Sequence, residues 1–153
     1  FEAAFLRFEI PISKDVVLNK YFLDNLNLES LTTKAYRSYS PYDLVVNERK
    51  VISVPLEKVF LGLFAAAANG GVYKSYRWGA AYGRLRAWEA MRAFANVPED
   101  FSQEQANEAF YQHEWFQFDS TDGWFHETGY NLGAMCLHKG GQELVVVAAT
   151  DSD

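Results

Sequence analysis

The chain has 153 residues, 49% apolar and 16% aromatic against 22% charged, which suits one compact core and excludes intrinsic disorder. Cys136 is the only cysteine, so neither an internal disulfide nor a zinc site needing two thiolates from one chain is available. The net charge of −6 is split unevenly: residues 1–92 hold 13 of the 14 Lys and Arg and nine of the 20 acids, while residues 93–153 hold 11 acids and Lys139 alone.

Phe5 to Ile10 alternates apolar and polar residues as a strand does, and Pro11 makes it an edge strand. Residues 15–31 place Val16, Val17, Tyr21, Phe22, Leu26 and Leu28 at mixed spacing, a helix that breaks near Asn25 to Asn27. Residues 32–47 are polar and Tyr-rich, an irregular stretch with its turn at Ser40 to Asp43. Pro55 opens a helix carrying Leu56, Val59, Phe60, Leu63 and Phe64, which ends at Asn69, Gly70 and Gly71. A second helix, from about Ser75 to Asn96, carries Ala81, Leu85, Trp88, Met91 and Ala95 on one stripe, and Pro98 closes it. A third starts at Ser102, whose hydroxyl and Gln105 form a capping box ahead of Ala106, Ala109 and Phe110.

After Glu114 the period changes. Trp115 to Phe118 and Trp124 to Phe125 read as short strands around a turn at Asp119 to Gly123. Leu132 to His138 and Glu143 to Ala149 flank Gly140 and Gly141, a hairpin signal, because tight hairpin turns need residues that accept positive φ. Val145 to Ala149 has no polar alternation and predicts a strand covered on both faces. The expected fold class is α+β, with three to four helices in the first two thirds packed on a small, mainly antiparallel sheet formed largely by the C-terminal third. One domain over residues 1–153 is expected, and Phe1 in place of a methionine leaves open that it is the C-terminal part of a longer chain.

Tyr82 to Leu85 with Ala87 and Trp88, Trp115-Phe116, Trp124-Phe125, Gly129, Leu132-Gly133 and the ending from Leu144 to Asp153 are the residues of a family pattern. Over residues 79–153 the chain resembles an uncharacterised bacterial domain family that closes on a similar Ala-Ala-Thr-Asp-Thr-Asp. Tyr130-Asn131 stands where that pattern has a Trp-Asp pair, which removes an acid from that position. The resemblance implies a bacterial cytoplasmic protein and no particular chemistry.

At 100° per residue Arg84 falls inside the apolar stripe of the second helix, and Arg77 projects the same way two turns earlier, while Arg86 points away. A buried guanidinium requires a carboxylate, so Arg77 and Arg84 are candidates for a buried ion pair or an anion site. Asp119, Asp122, Glu127, Asp151 and Asp153 in the cation-poor segment are the available partners. These five acids are also the candidates for binding a partner, or for an oxygen-ligand site taking magnesium or calcium.

His113-Glu114 and His126-Glu127 each lack the second histidine, four residues on, that a metalloprotease helix needs. Cys136 and His138 share a strand face, which would suit a thiolate and imidazole pair, but a buried structural cysteine beside the hairpin turn is the favoured expectation. No nucleophile elbow, phosphate loop or dinucleotide fingerprint occurs; Gly79 and Gly83 serve helix packing instead. The Tyr73 to Trp78 cluster has the residue types that stack on single strands, but the acidic balance opposes nucleic acid. The longest apolar-leaning run, Val59 to Ala68, is half the length of a membrane span. These readings lead to a cytoplasmic interaction protein, immunity- or inhibitor-like, whose acidic C-terminal half binds a basic protein. It would use no cofactor, nucleic acid or membrane. The alternative is a small metal-dependent hydrolase using the clustered aspartates.

Overall fold

The structure, a computed structural model, describes residues 2–28, 49–69, 79–120 and 130–151. In chain order these form β1 (Glu2–Arg7), α1 (Lys14–Val17), a 3-10 turn (Leu23–Leu26), β2 (Arg49–Ser53), α2 (Leu56–Asn69), α3 (Ala80–Phe94), α4 (Gln103–Tyr111), β3 (Glu114–Ser120), β4 (Tyr130–Leu137) and β5 (Glu143–Asp151). The strands make one antiparallel sheet in the order β1-β5-β4-β3-β2. The expected α+β class is the one found, with three of the five strands in the C-terminal third.

Period-two alternation sends the two faces of the sheet into two different cores. On one face Ala134, Cys136, Val145 and Val147 join Trp115 beneath Val59 of α2, Met91 and Phe94 of α3, and Ala106 and Phe110 of α4. On the other, Phe116, Phe118, Met135, Leu137, Leu144, Val146 and Ala148 lie under Val17, Phe22, Leu23 and Leu28. The Val145 to Ala149 run is thus apolar throughout because both its faces are covered. The indole of Trp115 donates to the Phe110 carbonyl at 2.9 Å, so the one polar atom of that buried ring is satisfied.

Several boundaries depart from the sequence reading. The first strand is Glu2–Arg7 rather than Phe5 to Ile10, because β1 pairs along β5 only from Glu2↔Ala148 to Arg7↔Glu143. The helix expected over 15–31 shrinks to α1 and the 3-10 turn, which Asn27 ends with φ of 51°. Strand β2 carried no sequence signal of its own and pairs with β3 from Arg49↔Ser120 to Ser53↔Phe116. The second helix starts at Ala80, after Gly79 with φ of 85°.

The largest correction concerns how α3 is rotated. Its buried residues are Gly83, Ala87, Met91 and Phe94, whereas Ala81 is exposed and Leu85 is 52% exposed. Gly83 decides this: a Cβ there would lie 2.6 Å from the Cβ of Ala68, so α2 and α3 cross where only glycine allows the approach. The closest approach of two helices outweighs the stripe of larger side chains, and Arg84 is carried out to the surface.

The sheet is closed at one end and opens at the other. At the closed end β4 and β5 turn through Gly140 and Gly141, with φ of 97° and 74° as the hairpin required. Ile12 donates its amide to the Gly141 carbonyl at 2.8 Å, and a Cβ on Gly141 would meet the Ile12 oxygen at 2.2 Å. At the open end the pairing of β3 with β4 stops at Gln117↔Ala134, although β3 runs on to Ser120 and β4 begins at Tyr130. Over those residues β3 stays with β2, so it parts from β4 and leaves a cleft of about 440 Å³.

Candidate functional site

Helix α4 is short, and its start is fixed by the expected capping box: the Gln105 amide donates to the Ser102 hydroxyl oxygen and the Ser102 amide to the Gln105 side-chain oxygen. That start turns Ala106 and Phe110 inward and leaves Glu104, Glu108 and Tyr111 on the outside. Glu99 and Asp100 lie exposed in the preceding turn, which Arg92 staples by donating to the carbonyls of Pro98 and Phe101. Arg92 sits in the last turn of α3, where the helix dipole also favours a cation. Pro98 to Glu114 therefore presents five acids and no Lys or Arg. Two aromatics share this surface, Phe101 at 38% exposure and Tyr111 at 68%. The Tyr111 hydroxyl donates to Glu57 at 2.9 Å, and that bond raises the phenol above its ordinary pKa.

Where α4 passes into β3, His113 stacks on His138 with ring centroids 4.8 Å apart. The Lys139 amide donates to Nδ1 of His113 at 3.0 Å. Burial, then His138, push His113 down to about 4, against a bond to the Ala95 carbonyl that raises it, with Lys139 adding to the lowering. His138 has Nε2 2.7 Å from the Phe94 carbonyl and Nδ1 3.2 Å from Glu143. Glu143 in turn pairs with Arg7 of β1, and that hydrogen bond, ahead of the other causes, holds its carboxyl below the usual carboxylate range. Lys14 and Glu114 form a second bridge between the basic and acidic parts, at 3.5 Å. The two parts of the chain face one another at these places, though such exposed, solvent-screened pairs add little to stability.

The arginines singled out by the sequence do not form such a site. Arg84 is exposed and joins no acid in an ion pair among the described residues, which corrects the expected buried pair. Arg77 lies outside the described residues. Arg86 points to solvent as expected and pairs with Glu89 at 2.7 Å. The arginine integrated into the packing is Arg92, whose acceptors are carbonyl oxygens rather than a carboxylate.

A family model matches the chain over residues 1–153. The chain belongs to DUF6183, a family of unknown function. No curated protein matches it, and no solved structure does. The match bears out the resemblance to an uncharacterised family and extends it over the first 78 residues, which the resemblance did not reach.

In this DUF6183 chain the five candidate acids meet different fates. Asp119 is exposed on β3, opposite Lys50 of β2. Asp151 ends β5, separated from β3 by the whole of β4. Asp122, Glu127 and Asp153 lie outside the described residues, as does His126. Among the described residues no three His, Cys, Asp or Glu side chains gather as metal ligands, so nothing favours the metal-dependent hydrolase. Cys136 is fully buried, and burial alone pushes its thiol far up, so the structural reading holds over a thiolate paired with His138. Among the described residues no helix is long and apolar enough to cross a membrane. Sequence reasoning missed the acids of Pro98 to Glu114 and the aromatics beside them. The signal was present, since no Lys or Arg occurs between Arg92 and Lys139.

Proposed function

We propose that this protein is a non-enzymatic, cytoplasmic interaction protein, immunity- or inhibitor-like, that docks on a basic protein through its acidic second half. The observation that carries the reading is the segment from Pro98 to Glu114, which holds five acids and no Lys or Arg of its own, keeps Glu99, Asp100, Glu104 and Glu108 exposed and exposes Phe101 and Tyr111, while Glu114 is bridged to Lys14. Such a surface steers a basic partner by long-range attraction, and the aromatics supply contact area at low entropy cost. Residues 1–153 act as one domain in this reading, because β1 needs β5 and β2 needs β3 to complete the sheet.

The experiment places a photo-crosslinking side chain at Tyr111 in the native host and identifies the attached protein by mass spectrometry. The expected product is a protein with a basic surface, lost when Glu99, Asp100, Glu104 and Glu108 are all changed to lysine. With the purified pair, binding weakens by about tenfold or more between low and high salt. No crosslink, or one indifferent to the charge reversal in a variant that still folds, would overturn the reading.

A further inference from the structure

Strand β1 ends the sheet, and among the described residues no strand pairs with its outer side. The direction of its backbone groups follows from one bond: Phe8, one step past the pair Arg7↔Glu143, donates its amide to the Gln142 carbonyl at 2.8 Å. In an antiparallel ladder the residues that bond a neighbour alternate with those that point away from it. Glu2, Ala4 and Leu6 therefore bond β5, while Ala3, Phe5 and Arg7 turn both N–H and C=O to the open edge.

The side chains along this edge are uncovered as well. Ala3 and Phe5 lie opposite Val147 and Val145, on the face of the sheet that α2, α3 and α4 cover. Val145 and Val147 are buried, but Ala3 is exposed and Phe5 is 71% exposed, so the helices stop short of β1. The other face of the strand is closed, with Ala4, Leu6 and Phe8 packed against the second core. Edge strands are commonly guarded by Lys or Pro, which deter pairing, and β1 holds neither. Its one cation, Arg7, stands at the end of the strand and is paired with Glu143.

We infer that β1 is the interface of a two-fold dimer, in which the edges of two copies pair antiparallel and join their sheets. It is the strand itself that selects a second copy as the occupant, because its outward groups are self-complementary. Centring the pairing on Phe5 sets Ala3 opposite the second copy's Arg7, Phe5 opposite its Phe5, and Arg7 opposite its Ala3. Each facing pair exchanges two bonds, about six in all. Sliding the second copy by one pair in either direction sets Ala3 or Arg7 opposite a residue outside Glu2–Arg7 and separates the two rings. In the centred register no like charges face each other, the exposed rings cover one another between the two helix layers, and Arg7 lies diagonal to the second copy's Phe5, within reach of its ring. The pairing consumes both β1 edges, so assembly stops at two.

The test is sedimentation of the 153-residue chain between about 1 μM and 1 mM, with amide exchange followed by NMR at the upper concentration. A dimer with a Kd of about 100 μM or tighter is expected, and it persists at high salt, where binding of a basic partner through the acidic surface would weaken. Phe5→Lys sets two ammoniums opposite each other and should stay monomeric; circular dichroism at about 1 μM, where both proteins are monomers, checks its fold. Relative to that variant, the amides of Ala3 and Arg7 in the unaltered chain should exchange about threefold or more slowly, and that of Ala4 should barely change. A chain still monomeric at about 1 mM, an assembly larger than a dimer, equal exchange at Ala3 and Arg7 in the two proteins, or undiminished association of Phe5→Lys would each overturn the proposal.

Discussion

The two ends of the sheet are built on opposite principles. At the hairpin end, Gly140 and Gly141 turn the chain, Ile12 docks on Gly141, and the stacked histidines tie that hairpin to the ends of α3 and α4. At the other end the β3–β4 pairing stops at Gln117↔Ala134, and a cleft opens that is lined by residues of β2, β3 and β4. Regions with many buried contacts set stability, and those released from the ladder are where binding is affordable. The contrast therefore separates a latched end of the sheet from an open one.

The largest expected effect is at the hairpin. Gly141→Val introduces a β-branched side chain at φ of 74° and against the Ile12 oxygen, so urea denaturation should show a loss of about 3 kcal/mol or more. A loss below about 1 kcal/mol would mean that Ile12 does not dock there in solution.

A smaller effect follows from His113. Its ordinary pKa of 6.5 falls to about 4 on folding, so between those values the unfolded chain takes up a proton that the folded one refuses. Stability should therefore decline as pH falls from about 6.5 to 4. After a discount for its partial exposure, the decline attributable to His113 is about 1–2 kcal/mol. Glu143 acts in the same direction at lower pH, since its depressed pKa gives stability that is lost as its carboxylate is protonated. His113→Gln keeps an acceptor for the Lys139 amide and should flatten the slope. Denaturation midpoints of both proteins at several pH values measure it.

The smallest effects belong to exposed charges away from the closed end. Arg84→Ala and Lys50→Ala should each change stability by no more than about 0.5 kcal/mol. A cost of several kcal/mol for Arg84→Ala would restore the buried ion pair that the rotation of α3 rules out.

How far the sequence could be read depends on which interaction decided each element. The capping box of α4, the glycine turn between β4 and β5 and the doubly covered β5 are local, and the residues announce them. The face of α3 is not local. Leu85 and Trp88 outweigh Gly83 in any count of apolar side chains, yet the Ala68 contact makes the glycine the point of closest packing. Strand β2 has no apolar alternation of its own beyond Val51 and Ile52, and pairing with β3 creates it. The candidate site was legible only in part. The shortage of cations after Arg92 pointed to an acidic surface, but attention to the aspartates near the C-terminus passed over Glu99, Asp100, Glu104 and Glu108. The cleft had no sequence signature, because it arises from where one ladder stops.

The most direct test of this account is the set of cross-strand proton contacts between β3 and β4, measured by NMR on the labelled chain. Contacts are expected for each pair from Glu114↔Leu137 to Gln117↔Ala134, and none between Asp119 and Leu132. A ladder that continues unbroken past Gln117 would close the cleft and contradict the division of the sheet into a latched end and an open one.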